Sequence, residues 1–272
     1  MDSMTILSRT KSLRKQTSRI IQLLRRRRQV RTSLVLHNTR YTEEIDSKVL
    51  IRILCPSERR RFSRPSQLAI LAIHNRPYKT ALENSLDYLG VEGYAVVHPR
   101  LPRGIWRNTY KIPAAVEFLR DCREEYVLYA DSDDAVLTGD PARAIDCLQQ
   151  SGGEMLISTT PHADYVFMPE MQGVFESAAR SAGYGTGKAL HLNSGVYVGR
   201  RAFLLTFLEE VAKYITEYDA RYPQYKLQYG RSLNPPRPFP LGCGSDQNIF
   251  RFIYPRFADK IRLDYTQRLA LR

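Results

Sequence analysis

Three aspartates fall within four positions, Asp131, Asp133 and Asp134, directly after the apolar run Tyr126-Val-Leu-Tyr-Ala130. An uninterrupted apolar run of this length has the pattern of a strand buried on both faces. The carboxylates are therefore expected at a strand end. Carboxylates this close repel one another unless a cation lies between them. Hard oxygen donors suit Mg2+ or Mn2+, usually with phosphate as a co-ligand. The chemistry this allows is transfer from a nucleotide-activated donor, with Asp131, Asp134 and Asp133 as candidate metal ligands. The same residues would also serve as a solvated acidic turn.

The surrounding pattern predicts the elements that position this cluster. Leu68-Ala-Ile-Leu-Ala-Ile73 reads as a buried strand, the turn His74-Asn-Arg-Pro77 follows, and residues 78–89 read as a helix. Residues 93–98 form a second expected strand. Residues 106–120 form a second helix, with a break at Pro113. After the acidic cluster, Asp140 as N-cap and Pro141 at the first position start a helix to Gln150. Met155-Leu-Ile-Ser158 is a further strand. Strands alternating with helices predict an α/β fold with a mostly parallel, doubly wound sheet flanked by helices. Ligands bind such sheets beyond the carboxyl ends of the strands. The His74–Asn75 turn and the aspartates both lie there, so His74 and Asn75 are candidate nucleotide contacts, although a lone histidine also serves as a satisfied structural residue. Further on, residues 189–199 read as strand, turn and strand, with Asn193-Ser194-Gly195 as the turn. Residues 201–218 read as an amphipathic helix and 231–244 as a Pro/Gly-rich lid. Ser245 caps a helix running to Tyr254, and residues 260–264 form a last strand.

Charge separates the chain into two parts. Residues 1–66 hold 17 Lys and Arg against 5 Asp and Glu, and the rest of the 272 residues hold 24 against 23. The net charge of +13 thus belongs to an N-terminal arm, and the pI says nothing about the body. Residues 8–31 could form a basic amphipathic helix contacting an anionic membrane or nucleic acid, or a solvated tail. Val49-Leu-Ile-Arg-Ile-Leu54 is expected as a short strand, and residues 56–66 as a linker. The main domain is expected over 67–272. Cys55, Cys122, Cys147 and Cys243 are widely spaced and form no CxxC pair, which disfavours a zinc site or a disulfide framework. With no apolar segment near membrane-spanning length and no signal-peptide pattern at the start, a cytoplasmic location is expected.

Three motifs now stand in order: Asp131-Ser-Asp-Asp134, then Gly185-Thr-Gly-Lys188 leading to Leu192-Asn-Ser-Gly195, then Ser245-Asp-Gln247 opening a helix. This order resembles the nucleotide-sugar glycosyltransferases of the GT-A fold. Within these it is most similar to the glycosyltransferase domain of procollagen lysyl hydroxylases, over about residues 67–266. The resemblance implies that Asp131 and Asp134 hold Mn2+ against the diphosphate of a UDP-sugar and that Ser132 and Lys111 belong to the donor site. It further implies that Asn193, Ser194 and Gly195 face sugar or acceptor, and that Asp246, oriented by Gln247, accepts from sugar hydroxyls. Lys111 also fits a solvated helix lysine, and Asp246 a favourable first-turn charge. Asp133 stands where that family has another residue, and Ser245 replaces its acidic one. The family also supplies a metal-binding histidine downstream of the segment matching Leu263-Asp264, whereas no histidine follows His191. The implied reaction is retaining transfer of a sugar to a hydroxyl of a protein or glycan, collagen-like by resemblance alone. A nucleotidyltransferase would use the same metal–carboxylate logic. A non-catalytic protein tethered by its basic arm is the reading from another class. Gly183-Tyr-Gly-Thr-Gly-Lys188 is too short for a P-loop and is followed by Ala189 in place of Ser or Thr.

Overall fold

The computed structural model describes residues 32–37, 47–54, 61–101, 106–162, 169–185, 189–221 and 245–271. The expected basic helix (8–31), the lid (231–244) and the segment Thr186-Gly-Lys188 lie outside these residues.

The centre is a six-stranded sheet built from β2 (Leu68–Ile73), β3 (Ala95–Val97), β4 (Tyr126–Ala130), β6 (Met155–Thr160), β7 (His191–Arg200) and β8 (Ile261–Leu263), in the order β3-β2-β4-β7-β6-β8. Five strands run one way. The exception, β7, is antiparallel to both β4 and β6. The α/β class and the mostly parallel sheet are thus as the sequence pattern implied. Alternation explains why the central strands are apolar throughout. Leu68, Ile70 and Ala72 of β2 enter one core, and Ala69, Leu71 and Ile73 enter the other. Fully burying each large side chain contributes roughly 1.5–3 kcal/mol, so both faces demand apolar residues. Helices α2 (Ala81–Tyr88), α3 (Lys111–Asp121), α4 (Ala142–Ser151), α5 (Pro169–Ser181), α6 (Arg201–Arg221) and α7 (Asp246–Ile253) flank the sheet. Among the described residues, no helix is long and apolar enough to cross a membrane.

Several local expectations are corrected. Residues 49–54 are not a strand: they belong to helix α1 (Ser47–Leu54). Leu50, Ile51 and Leu54 are buried while Arg52 is exposed, the spacing of one helical face. Pro113 does not break α3. It is the third residue of that helix, where no intrahelical acceptor is missed. Asp140 caps α4 through Oδ1, which accepts from Ala142 N at 2.9 Å, and Gly152 ends the helix at φ 67°. Residues 189–199 hold no hairpin, because Asn193-Ser194-Gly195 lies inside the single strand β7. What the turn residues mark is a bulge. Ile157 of β6 faces Tyr197, but Thr159 faces Leu192, so two steps on β6 span five on β7. Bulges of this kind re-aim side chains.

A second, three-stranded sheet was not foreseen. It consists of β1 (Val35–His37), β5 (Ala135–Leu137) and β9 (Ala270–Leu271), with β1 in the middle. Strand β1 is antiparallel to β5 and parallel to β9. Leu34, Val35 and Leu36 are buried in the same core as α1 and β2. Part of the basic arm is therefore built into the fold.

Candidate active site

The acidic cluster sits at the carboxyl end of β4, beside the carboxyl end of β2. The ladder between β4 and β7 continues one step past Ala130, where Asp131 N donates to Gly195 O at 2.7 Å. That bond fixes the backbone of Asp131 against the β7 bulge. Oδ1 of Asp131 accepts from Lys111 Nζ at 2.7 Å and from Tyr129 OH at 2.8 Å. Oδ2 faces His37 Nε2 at 3.5 Å, and Asp134 Oδ1 faces the same nitrogen at 3.3 Å. His37, Asp131 and Asp134 thus offer one imidazole nitrogen and two carboxylate oxygens, all within 4.8 Å of one another. His37 is 3 % exposed, whereas the side chains of Asp131 and Asp134 are 25 % and 21 % exposed. A mixed nitrogen and oxygen set fits Mn2+; the carboxylates alone would equally fit Mg2+.

Gly195 is what lets these groups meet. A Cβ there would lie 2.1 Å from His37 Cε1 and 2.6 Å from Asp131 Oδ2. Its role is to leave space, and the sequence motif could not show for which side chain.

Lys111 opens α3 and is buried. Its ammonium also lies 3.0 Å from Asp246 Oδ2, at the first position of α7, so one cation bridges carboxylates from two separate elements. Burial opposes charge on Lys111, yet Asp131 and Asp246 hold its pKa well above the usual lysine value. Burial likewise opposes ionisation of Asp131, but Lys111 and then His37 hold its carboxyl well below the ordinary range. For His37, burial is outweighed by Asp134 and Asp131, which hold the imidazole up at about 9. Asp246, Lys111, Tyr129, Tyr197 and Ser194 line a narrow cleft with Ile73, Ile112 and Phe250.

The other candidates are placed as follows. Asn193 is buried and fully engaged. Oδ1 accepts from Ser158 Oγ (3.1 Å) and Gly195 N (3.2 Å), and Nδ2 donates to Gln247 Oε1 at 2.6 Å. It ties β6, the β7 bulge and α7 together, and so positions Asp246 from behind. Ser245 caps α7, accepting from Asn248 N at 3.3 Å. Asp133 does not join the converging donors: Arg76 holds it in a two-pronged ion pair at 2.7–3.2 Å, turned to solvent. His74 is used by the fold. Its Nδ1 accepts from Arg76 N at 3.0 Å, and its Nε2 lies 3.1 Å from Glu83 Oε2, the carboxylate that caps α2 through Thr80. Ser132 is buried, with Oγ donating to Ile73 O at 3.3 Å, and Asn75 is exposed on the loop after β2.

His37 is the residue that sequence reasoning missed. Its signal was slight: Leu34-Val-Leu-His37 is an apolar run ending in a ligand-type residue, set inside a basic segment. A wider groove lies near the opposite end of the sheet, lined by Gln67, Phe118, Cys122 and Glu124 among others, away from the paired charges. No protein-family model matches this sequence, and no curated protein matches it.

Proposed function

We propose that this chain is a metal-dependent glycosyltransferase, moving a sugar from a nucleotide diphosphate, in the first instance a UDP-sugar, to a hydroxyl of a protein or glycan acceptor with retention of configuration. The observation that carries the reading is the grouping of Asp131, Asp134 and His37 at the carboxyl end of β4, linked through the buried Lys111 to Asp246. Open α/β sheets bind nucleotides at this end. The order of motifs along the chain supports the same reading.

His37, Asp131 and Asp134 would hold the ion, with Mn2+ the best fit to a mixed donor set. When bound, Mn2+ supplies Lewis-acid stabilisation of the charge that develops on the departing diphosphate. The chain's own residues do the rest. Lys111 keeps Asp131 ionised and turns one of its oxygens away from the ion. Asp246, beside the cleft, accepts from donor-sugar hydroxyls. Asn193 and Gln247 hold α7 in place behind it.

A donor screen tests this. The protein is incubated with Mn2+ and a panel of UDP- and GDP-sugars, and nucleotide release is followed. At least one UDP-sugar is expected to be hydrolysed or transferred, and Asp131→Asn and Asp134→Asn to abolish this while unfolding stays cooperative. Absence of turnover together with absence of a UDP-induced thermal shift overturns the reading.

A further inference from the structure

Among the described residues, the three converging donors come from two places in the chain. Asp131 and Asp134 flank the turn after β4, whereas His37 is the last residue of β1, near the N-terminus. The register of β1 on β5 sets His37 opposite Ala135, the residue next to Asp134. A slip of one position would turn the imidazole to the other face.

The spacing of the donors is long for a charge-assisted hydrogen bond and can also be spanned by an ion. Charge-assisted hydrogen bonds run about 2.7–2.9 Å, as Lys111 and Asp131 show at 2.7 Å. The imidazole stands off at 3.3 and 3.5 Å from its two carboxylates. Two ligands each about 2.1–2.2 Å from one ion, at right angles, stand roughly 3 Å apart. His37 is buried, and its Nε2 is the nitrogen turned to the two carboxylates. Gly195 clears the space that its ring fills.

We infer that a divalent transition-metal cation is the clasp that locks the N-terminal strand β1 onto the fold, with His37 as its third protein ligand. The ion and the docking of β1 are then linked: each favours the other by the same factor. An imidazole donor also biases the centre toward Mn2+ or Co2+ over Mg2+. The inference rests on the metal half of the proposed function and not on its sugar chemistry.

The test uses the full-length protein and no nucleotide. Mn2+ affinity is measured by electron paramagnetic resonance of the free ion, and backbone amide exchange of residues 33–37 is measured with and without Mn2+. In the native protein, Mn2+ at 100 times its dissociation constant is expected to slow exchange of these amides up to about 100-fold where they exchange through β1 opening. His37→Gln is expected to weaken Mn2+ binding at least tenfold and to abolish the added protection, with a smaller effect on Mg2+. Co2+ added to the native protein is expected to give a visible spectrum showing a nitrogen ligand, which does not depend on any variant folding. An all-oxygen Co2+ spectrum, or unchanged Mn2+ affinity in a folded His37→Gln, or equal amide protection with and without Mn2+ in the native protein, overturns the inference. Mn2+ binding through His37 with no donor turnover would leave the clasp standing and remove the transferase reading. Turnover with full Mn2+ affinity in His37→Gln would do the reverse.

Discussion

Lys111 is the residue on which the electrostatics of the site turn. A buried ammonium between two carboxylates is stabilising only while all three charges are present. Lys111→Met removes the cation and leaves Asp131 and Asp246 without the charge that joins them. The expected cost is about 3 kcal/mol of stability, measured by urea unfolding, with Lys111→Arg costing less and added Mn2+ recovering part of the loss. A change below about 0.5 kcal/mol would mean that the lysine behaves as an exposed surface residue. Lys111 was legible as a cation near the site. That it faces two carboxylates of the chain itself, and not solvent, was not legible, because Asp246 lies far along the sequence.

At the scale of elements, the β7 bulge does the positioning. Asn193 holds the bulge to β6 and to α7 by bonds to Ser158, Gly195 and Gln247. Asn193→Ala is expected to cost about 2–3 kcal/mol, since it leaves buried partners unsatisfied. It should also lower donor turnover more than Asn193→Asp, which keeps the two acceptor bonds. Turnover equal to that of the native protein in Asn193→Ala would show that α7 does not need this tie. The turn-forming residues at 193–195 were read correctly as an interruption and wrongly as a hairpin. Strand pairing across a bulge depends on β4 and β6, which lie elsewhere in the chain. The segment 49–54 failed for a different reason: a six-residue run with five apolar residues is too short for its periodicity to separate a strand from a buried helix.

For the whole molecule, the described part of the basic arm, residues 32–37 and 47–54, packs into the same core as the body. Leu34, Val35, Leu36, Leu50, Ile51 and Leu54 are all 5 % exposed or less. Their burial contributes on the order of 10 kcal/mol, comparable with the whole stability of a domain. A chain beginning at Gln67 is therefore expected to show no cooperative thermal transition, whereas one beginning at Thr32 should retain one. A stable, cooperative 67–272 fragment would show that β1 and α1 are dispensable. What the sequence by itself determined is local: apolar runs long enough to bury both faces, hence β2 and β4, caps such as Ser245 and Asp140, and carboxylates at a strand end. Those follow from short-range periodicity and hydrogen-bond chemistry. The tertiary structure alone decided that His37 meets Asp131 and Asp134, that Asp133 turns away to Arg76, and that Lys111 bridges to Asp246. Each of these joins residues distant in sequence, the first through strand register and the space left at Gly195, and no local pattern encodes them.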